Sequence, residues 1–194
     1  MLSPHDLLTC DMLDRYWTRD MNSLNPHFGP ADDLKALSRA LHERAMYLMA
    51  DIVVNQFVDV IIINCKHTNS FISHSSCAST YVKLPDGSQS IDYSQILPFN
   101  SSSFYHQPCE ITQPNNQTNL EDCSVGDDVL PLPDLNTEDP KVVMMLNDWV
   151  KELVNEYDLD GLRVDTVKHI RKDFWPGFAQ AAGVFTLGEV RPFH

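Results

Sequence analysis

The residues best suited to chemistry lie in one stretch, Asp160-Gly161-Leu162-Arg163-Val164-Asp165-Thr166-Val167-Lys168-His169. Strand side chains alternate with period two, so Leu162 and Val164 face one way while Arg163 and Asp165 face the other. A strand that points an arginine and an aspartate in one direction does more than fill a core. A positive charge beside a carboxylate lowers its pKa by roughly one to three units, so Arg163 is expected to hold Asp165 ionised. An ionised, positioned carboxylate can act as a nucleophile or bind a metal. A second apolar run, over 184–190, finishes on Glu189 in Gly188-Glu189-Val190. Two successive strands thus end in carboxylates, with a helical stretch between them.

The elements that position these groups follow from periodicity. Leu34, Leu37 and Leu41 fall at helical spacing after Pro30, with Asp32 and Asp33 in the first turn, where the helix dipole favours acids. Met46 to Asn55 reads as a buried strand rich in β-branched residues. A long helix begins near Pro140, with Val142 or Val143, Leu146, Val150, Leu153 and Tyr157 as its apolar face. A further helix, from about Lys172 to Ala182 and interrupted by Pro176, separates the Asp165 strand from the Glu189 strand. Helix, strand, helix, strand in series implies βα repeats and a parallel sheet. Asn55, Asp165 and Glu189 all fall at strand C-terminal ends, where a (β/α)8 barrel gathers its active face.

Between Asn55 and about Asp134 the helical period disappears and Ser, Asn, Pro and Asp dominate. A loop of that length must be a subdomain or a functional excursion. The fold expected is therefore α/β, a partial (β/α)8 TIM barrel from 1–55 and 135–194, with a loop-rich subdomain at 56–134 inserted after the third barrel strand. The apolar run Phe57 to Ile63 is either a buried strand of that subdomain or an insertion foreign to the fold, and residues before Asp14 show no clear period.

Composition narrows the partners. The 194 residues carry a net charge of -13, which repels nucleic-acid backbones and anionic membranes. No apolar run is long enough to span a bilayer, and Met1 to Cys10 lacks the charged start and apolar core of a signal peptide. Taken alone, that start points to the cytosol. Two glycosylation acceptor sequences, Asn100-Ser101-Ser102 and Asn116-Gln117-Thr118, point to secretion instead. Five cysteines leave at least one unpaired; Cys109 and Cys123 flank a polar, turn-rich loop, as a bridged pair or as two thiols. No His-Glu-x-x-His zinc motif, phosphate-cradling glycine loop or CxxC pair is present.

The segment Gly161 to His169, followed by Gly188-Glu189-Val190, resembles the α-amylase family of glycoside hydrolases, in particular its secreted fungal type. The likeness covers most of Tyr16 to Asn55 and Ser90 to Val190. It implies a retaining hydrolase of α-1,4-glucosidic bonds in starch, glycogen and maltooligosaccharides, with Asp165 as nucleophile and Glu189 as acid/base. Carboxyl groups on adjacent strands would then stand about 5 to 5.5 Å apart. Read from spacing alone, Arg163 and Asp165 could equally be a strand-end ion pair beside an incidental glutamate. The resemblance further implies that Arg163, Lys168, His169 and Gln56 contact substrate and that Trp17 with Tyr16 forms an aromatic platform for a sugar ring. It implies a calcium ion held by Asn55, Glu121, Asp134 and the backbone carbonyl of His169, since hard cations want oxygen ligands. It also implies a Cys109–Cys123 disulfide and an extracellular location. Related α-glucosidase or transglycosylase activities would use the same carboxylates.

Departures accompany the matches. Gln56 stands where the family places a histidine, and Asp14 and Arg15 replace a histidine and a glycine. The family's third carboxylate would lie beyond His194, and only three barrel strands are evident. A closed barrel takes roughly 250 residues. Low or no activity is therefore expected of the chain alone, with a non-catalytic carbohydrate-binding remnant as the alternative; oligomeric state is not readable.

Overall fold

Helices and strands alternate where the apolar spacing changes between three or four residues and two. The computed structural model describes residues 20–25, 28–56, 81–83, 89–124 and 132–190. In chain order these hold α1 (Ala31–His42), β1 (Met49–Ile52), β2 (Tyr81–Lys83), β3 (Gln89–Ile91), α2 (Gln117–Asp122), α3 (Pro140–Tyr157), β4 (Gly161–Val164), α4 (Phe174–Ala182) and β5 (Phe185–Gly188). Short 3-10 turns lie at Tyr93–Gln95, Ser102–Phe104 and Val167–His169. Tyr16, Trp17, Asp14, Arg15 and the run from Phe57 to Ile63 fall outside the described residues.

α3 starts where expected because Pro140 occupies its first turn and the Asp139 carboxylate accepts from the Lys141 N–H at 2.8 Å. Its deeply buried face is Val142, Leu146, Val150, Val154 and Tyr157, with Leu153 at the margin. Burying each such side chain stabilises by about 1.5–3 kcal/mol. α3 packs against α4 and α1. α4 differs from expectation: it runs unbroken from Phe174, because Pro176 is its third residue, where a backbone N–H would have no intrahelical partner. In α1 the expected leucine face is inward only in part: Leu34 packs against the core and Leu41 is half-buried. Leu37 is 49% exposed, and Ser38 is buried instead, donating to the Asp158 carbonyl at 3.1 Å.

β1, β4 and β5 form a parallel sheet in that order. Its register aligns Asp51, Arg163 and Leu187 across the three strands. The ladder continues one step past the strand ends, through Asp165 N–H to the Ile52 carbonyl at 2.9 Å and Glu189 N–H to the Val164 carbonyl at 2.8 Å. Ile52, Val54, Leu162 and Val164 join the helices in one core, while Met49, Val53, Phe185 and Leu187 on the other face are exposed. The strand expected over Met46 to Asn55 is thus shorter, and buried on one face only. Asp160 fixes the entry to β4. Its carboxylate accepts from the Leu48 N–H at 2.7 Å and lies 2.8 Å from His42 Nε2, and these contacts, the backbone one first, hold it below the usual carboxylate range.

The segment between β1 and α3 contains an antiparallel pair, β2 with β3, and the short α2. Phe99, Phe104 and Tyr105 anchor it to the core, with the Tyr105 hydroxyl donating to the Phe99 carbonyl at 2.8 Å. Cys109 and Cys123 are bridged. Closing a loop of that size contributes about 3 kcal/mol in the chain-entropy account. Isolated bridges Gln56–Asp134 and Tyr105–Leu135 return the segment to the end of β1.

Two glycines separate strain from flexibility. A Cβ on Gly188 would lie 2.7 Å from Val167 Cγ2 and 3.2 Å from Val167 Cβ, and a β-branched neighbour yields little. A Cβ on Gly177, inside α4, would meet nothing within 4 Å. Gly188→Ala is expected to cost about 1–3 kcal/mol in denaturant unfolding, whereas Gly177→Ala gains about 0.5–1 kcal/mol. Equal effects would show that the Val167 turn does not confine β5.

Candidate active site

Register alone brings four charged side chains together. Arg163 points from β4 into the space between β1 and β5, where Nη1 donates to Asp51 Oδ1 at 2.6 Å. Nη2 makes a close hydrogen bond to Glu189 Oε2 and lies 3.5 Å from Asp165 Oδ1. One guanidinium therefore serves three carboxylates. The Asp51 hydrogen bond is the main cause that pushes the arginine pKa up, with Asp165 and Glu189 adding to it. Asp165 also accepts from the Thr166 N–H at 2.9 Å.

The expected depression of Asp165 is not found. Its pKa is raised: burial is the first cause, and a hydrogen bond shared with Glu189 is the second. The Thr166 N–H and Arg163 oppose the rise without reversing it. The physical reason is burial first and the charge balance second. Three carboxylates around one arginine leave two negative charges uncompensated, and a carboxylate pair in contact cannot easily lose both protons.

A second cluster adjoins this one. Asn55 is wholly buried; its amide donates to Asp134 Oδ1 at 2.8 Å and accepts from the Thr166 hydroxyl at 3.0 Å. His106 lies 2.8 Å from Asp134 Oδ2 and 2.7 Å from Glu138 Oε2. Burial alone would lower the imidazole pKa, but the two carboxylates overcome it and hold it at about 10. Asp134 is pushed up to about 6, chiefly by burial, against the pull of His106 and Asn55. Glu138 ends below the usual range because His106 outweighs its burial. Among the described residues, His106, Asp122 and Glu138 also present one ligand-type atom each within 4.8 Å of one another.

The remaining predicted residues are placed as follows. Glu121, on α2, accepts from the Gln117 side chain at 2.6 Å, and the same Gln117 amide donates to the Lys168 carbonyl at 3.1 Å. α2 therefore rests on the Val167–His169 turn. His169 is largely buried: its Nδ1–H donates to the Leu120 carbonyl at 3.2 Å, and burial lowers its pKa. Lys168 remains half-buried. Gln56 follows Asn55 and carries a buried Nε2 with no hydrogen-bond partner among the described residues. Asn55 and Asp134 meet directly, and the segments bearing Glu121 and His169 are in contact. This donor set, an amide, two carboxylates and a backbone carbonyl, fits a hard divalent cation.

Sequence reasoning missed Asp51, His106 and Glu138. Asp51 had a signal, a lone charge inside an otherwise apolar strand; the other two lie in irregular segments where periodicity says nothing.

Charged side chains gathered at the C-terminal ends of parallel βα strands define the active face of a (β/α)8-type enzyme. The family model for the alpha-amylase catalytic domain matches residues 5–185, and the chain belongs to the alpha-amylase family. It is 43% identical over 175 residues to "Alpha-amylase 1" of Lipomyces kononenkoae, covering 90% of this chain and 24% of that protein. Its structure matches an alpha-amylase from Malbranchea cinnamomea with a TM-score of 0.73 at 41% identity, over 91% of this chain and 32% of that one. The alpha-amylase of Geobacillus thermoleovorans complexed with acarbose matches with a TM-score of 0.65 at 31% identity, over 91% of this chain and 33% of that one. The chain thus spans about a quarter to a third of the length of these relatives. The partial parallel sheet with its helices is consistent with a part of the (β/α)8 fold.

The raised pKa of Asp165 has a signed consequence. A carboxyl whose folded pKa exceeds its unfolded value contributes stability that is complete below the ordinary value of 3.8 and is lost as pH rises through the raised one. Ionised Asp165 therefore burdens the fold at neutral pH. Asp165→Asn is expected to raise the melting temperature at pH 7 and to leave or lower it at pH 3. In the native chain, carboxyl-carbon NMR should place the Asp165 midpoint above 3.8, and Glu189→Gln should bring it down. A depressed native midpoint would overturn the charge account.

Proposed function

We propose that this chain carries the catalytic carboxylates of an α-amylase-type retaining glycoside hydrolase acting on internal α-1,4-glucosidic bonds of starch, glycogen and maltooligosaccharides. The observation that carries the reading is that Asp165 and Glu189, from adjacent parallel strands, both face Nη2 of Arg163. Retaining hydrolysis needs such a closely spaced pair. Asp165 attacks the anomeric carbon while Glu189 gives its proton to the departing glycosidic oxygen. Glu189 then takes a proton from water as that water displaces the aspartyl ester, and the configuration is retained. A carboxyl pair on one arginine suits this division, since one partner must be charged while the other is protonated. Arg163 orients both carboxylates and offsets the charge that returns when the ester is cleaved.

Gln56, with its unpartnered amide beside Asn55, supplies a neutral hydrogen-bond donor toward a sugar hydroxyl. Lys168 and the edge of His169 flank the leaving-group side, and Tyr16 with Trp17 contributes the aromatic face. Residues 56–134 form a subdomain between two parts of the barrel, 1–55 and 135–194. Asn55, Glu121, Asp134 and the His169 carbonyl would hold Ca2+. Bound there, the ion joins that subdomain to the strand ends and compensates buried negative charge. The disulfide and the fungal relatives support an extracellular protein.

The test of the catalytic reading is hydrolysis of a blocked maltooligosaccharide by the purified chain with calcium, beside Asp165→Asn and Glu189→Gln. Any product the native chain forms, however little, is expected to vanish in both variants, and proton NMR should show the α-anomer forming first. Turnover that survives Asp165→Asn, or an initial β-anomer, sinks the assignment; binding of maltoheptaose, followed by shifts of the Arg163 side-chain signals, reads the cleft without turnover.

Calcium is tested apart from catalysis. Saturating the chain to one hundred times the dissociation constant should stabilise it by about 2.7 kcal/mol, read as a rise in melting temperature, and Asp134→Asn should abolish the rise. An unchanged melt on adding Ca2+ to the native chain would remove the proposed donor set.

A further inference from the structure

Two glycosylation acceptor sequences share the segment between β1 and α3, and the fold treats their asparagines differently. Asn100 is exposed, and its side chain makes no hydrogen bond among the described residues. The loop that carries it is nevertheless rigidly based. Phe99 before it is wholly buried and packs edge-on against Phe104 at 5.6 Å between ring centroids. Ser101 caps the following turn, accepting from the Ser103 N–H at 3.3 Å, while Ser102, the hydroxyl residue of the acceptor sequence, is exposed. The amide of Asn100 thus projects outward from an anchored hairpin-like bend.

Asn116 is also exposed, but its side chain is committed to hydrogen bonds. Its carbonyl oxygen accepts from the Asn119 N–H as the N-cap of α2, and its amide nitrogen donates to Gln113 Oε1 at 3.2 Å. The next residue, Gln117, binds the Lys168 carbonyl, so a sugar on Asn116 would crowd the contact between α2 and the Val167–His169 turn.

We propose that Asn100 is the N-glycan attachment site of this chain and that Asn116 is not. The inference rests on the extracellular reading above, and the Cys109–Cys123 bridge belongs to the same oxidising compartment in which such transfer occurs. In the transfer, the Asn100 amide nitrogen bonds to the anomeric carbon of a lipid-linked oligosaccharyl diphosphate. The carbon–oxygen bond to the diphosphate breaks, one amide proton passes to a base, and the lipid diphosphate departs. Transfer precedes folding; what the fold decides is which modified asparagine it can accommodate.

The test expresses the full 194-residue chain behind a heterologous secretory leader in a yeast, so that passage through the compartment does not depend on where the natural protein resides. Secreted and cell-retained chains are both treated with an N-glycosidase and mapped by peptide mass spectrometry for the asparagine-to-aspartate conversion it leaves. In the secreted chains the expected map marks Asn100 and leaves Asn116 unconverted, any conversion at Asn116 being confined to the retained chains. Asn100→Gln should lose the single glycan step in gel mobility, and Asn116→Gln should keep it. An unmodified Asn100, or conversion mainly at Asn116, overturns the proposal. Localisation is read separately, from the untagged natural gene in its own host, so an intracellular result there would fail the extracellular reading without touching the site preference.

Discussion

One guanidinium surrounded by three carboxylates is the constraint on which the rest of the site depends. Arg163 reaches Asp51, Asp165 and Glu189 because three parallel strands stand in one register, and a slip of one residue would turn each of these side chains toward the helices. The apolar face of the same strands enforces that register. Leu162 and Val164 share one buried core with Ile52 and the helical residues Leu146, Val150 and Phe178, so the core selects the alternation that delivers the charges. Packing and chemistry are here two faces of one strand.

The charge balance also bears on the direction in which Asp165 is pushed. Burial pushes Asp165 up first, the neighbouring Glu189 adds to the rise, and Arg163 opposes it without reversing it. A simple strand-end ion pair would have left Asp165 depressed. The upward direction instead reflects burial beside a second carboxylate. Asp51 makes this possible from the far side by holding Nη1, which leaves Nη2 to face the pair.

Local reading located strands and caps well because their causes are local. Period two in Leu162 to Asp165 placed Arg163 and Asp165 on one face, and Pro140 after Asp139 marked the start of α3. Family resemblance, rather than spacing, supplied the Cys109–Cys123 bridge and the donors Asn55 and Asp134. What failed was non-local. The sign of the Asp165 shift depends on how closely Glu189 approaches from another strand, and the inner face of α1 depends on Asp158 at the end of α3, which selects Ser38 over Leu37. His106 was illegible for the same reason. Its role exists only because Asp134 and Glu138, 28 and 32 residues later, close on both ring nitrogens.

Thr166 is the joint between the two clusters. It is β-branched yet sits at φ +52°, in the left-handed region, which costs on the order of 1–3 kcal/mol for such a residue. Its N–H donates to Asp165 and its hydroxyl to Asn55. Hydrogen bonds of this kind contribute about 1–3 kcal/mol each when an acceptor is charged or buried, so together they offset the strain. A glycine would accept the backbone angle without cost but would lose the hydroxyl, leaving Asn55 Oδ1 without its donor in a fully buried position. The conformation therefore answers to two acceptors at once, and through it the orientation of Asp165 is tied to Asn55, to Asp134, and so to the loop segment that precedes α3.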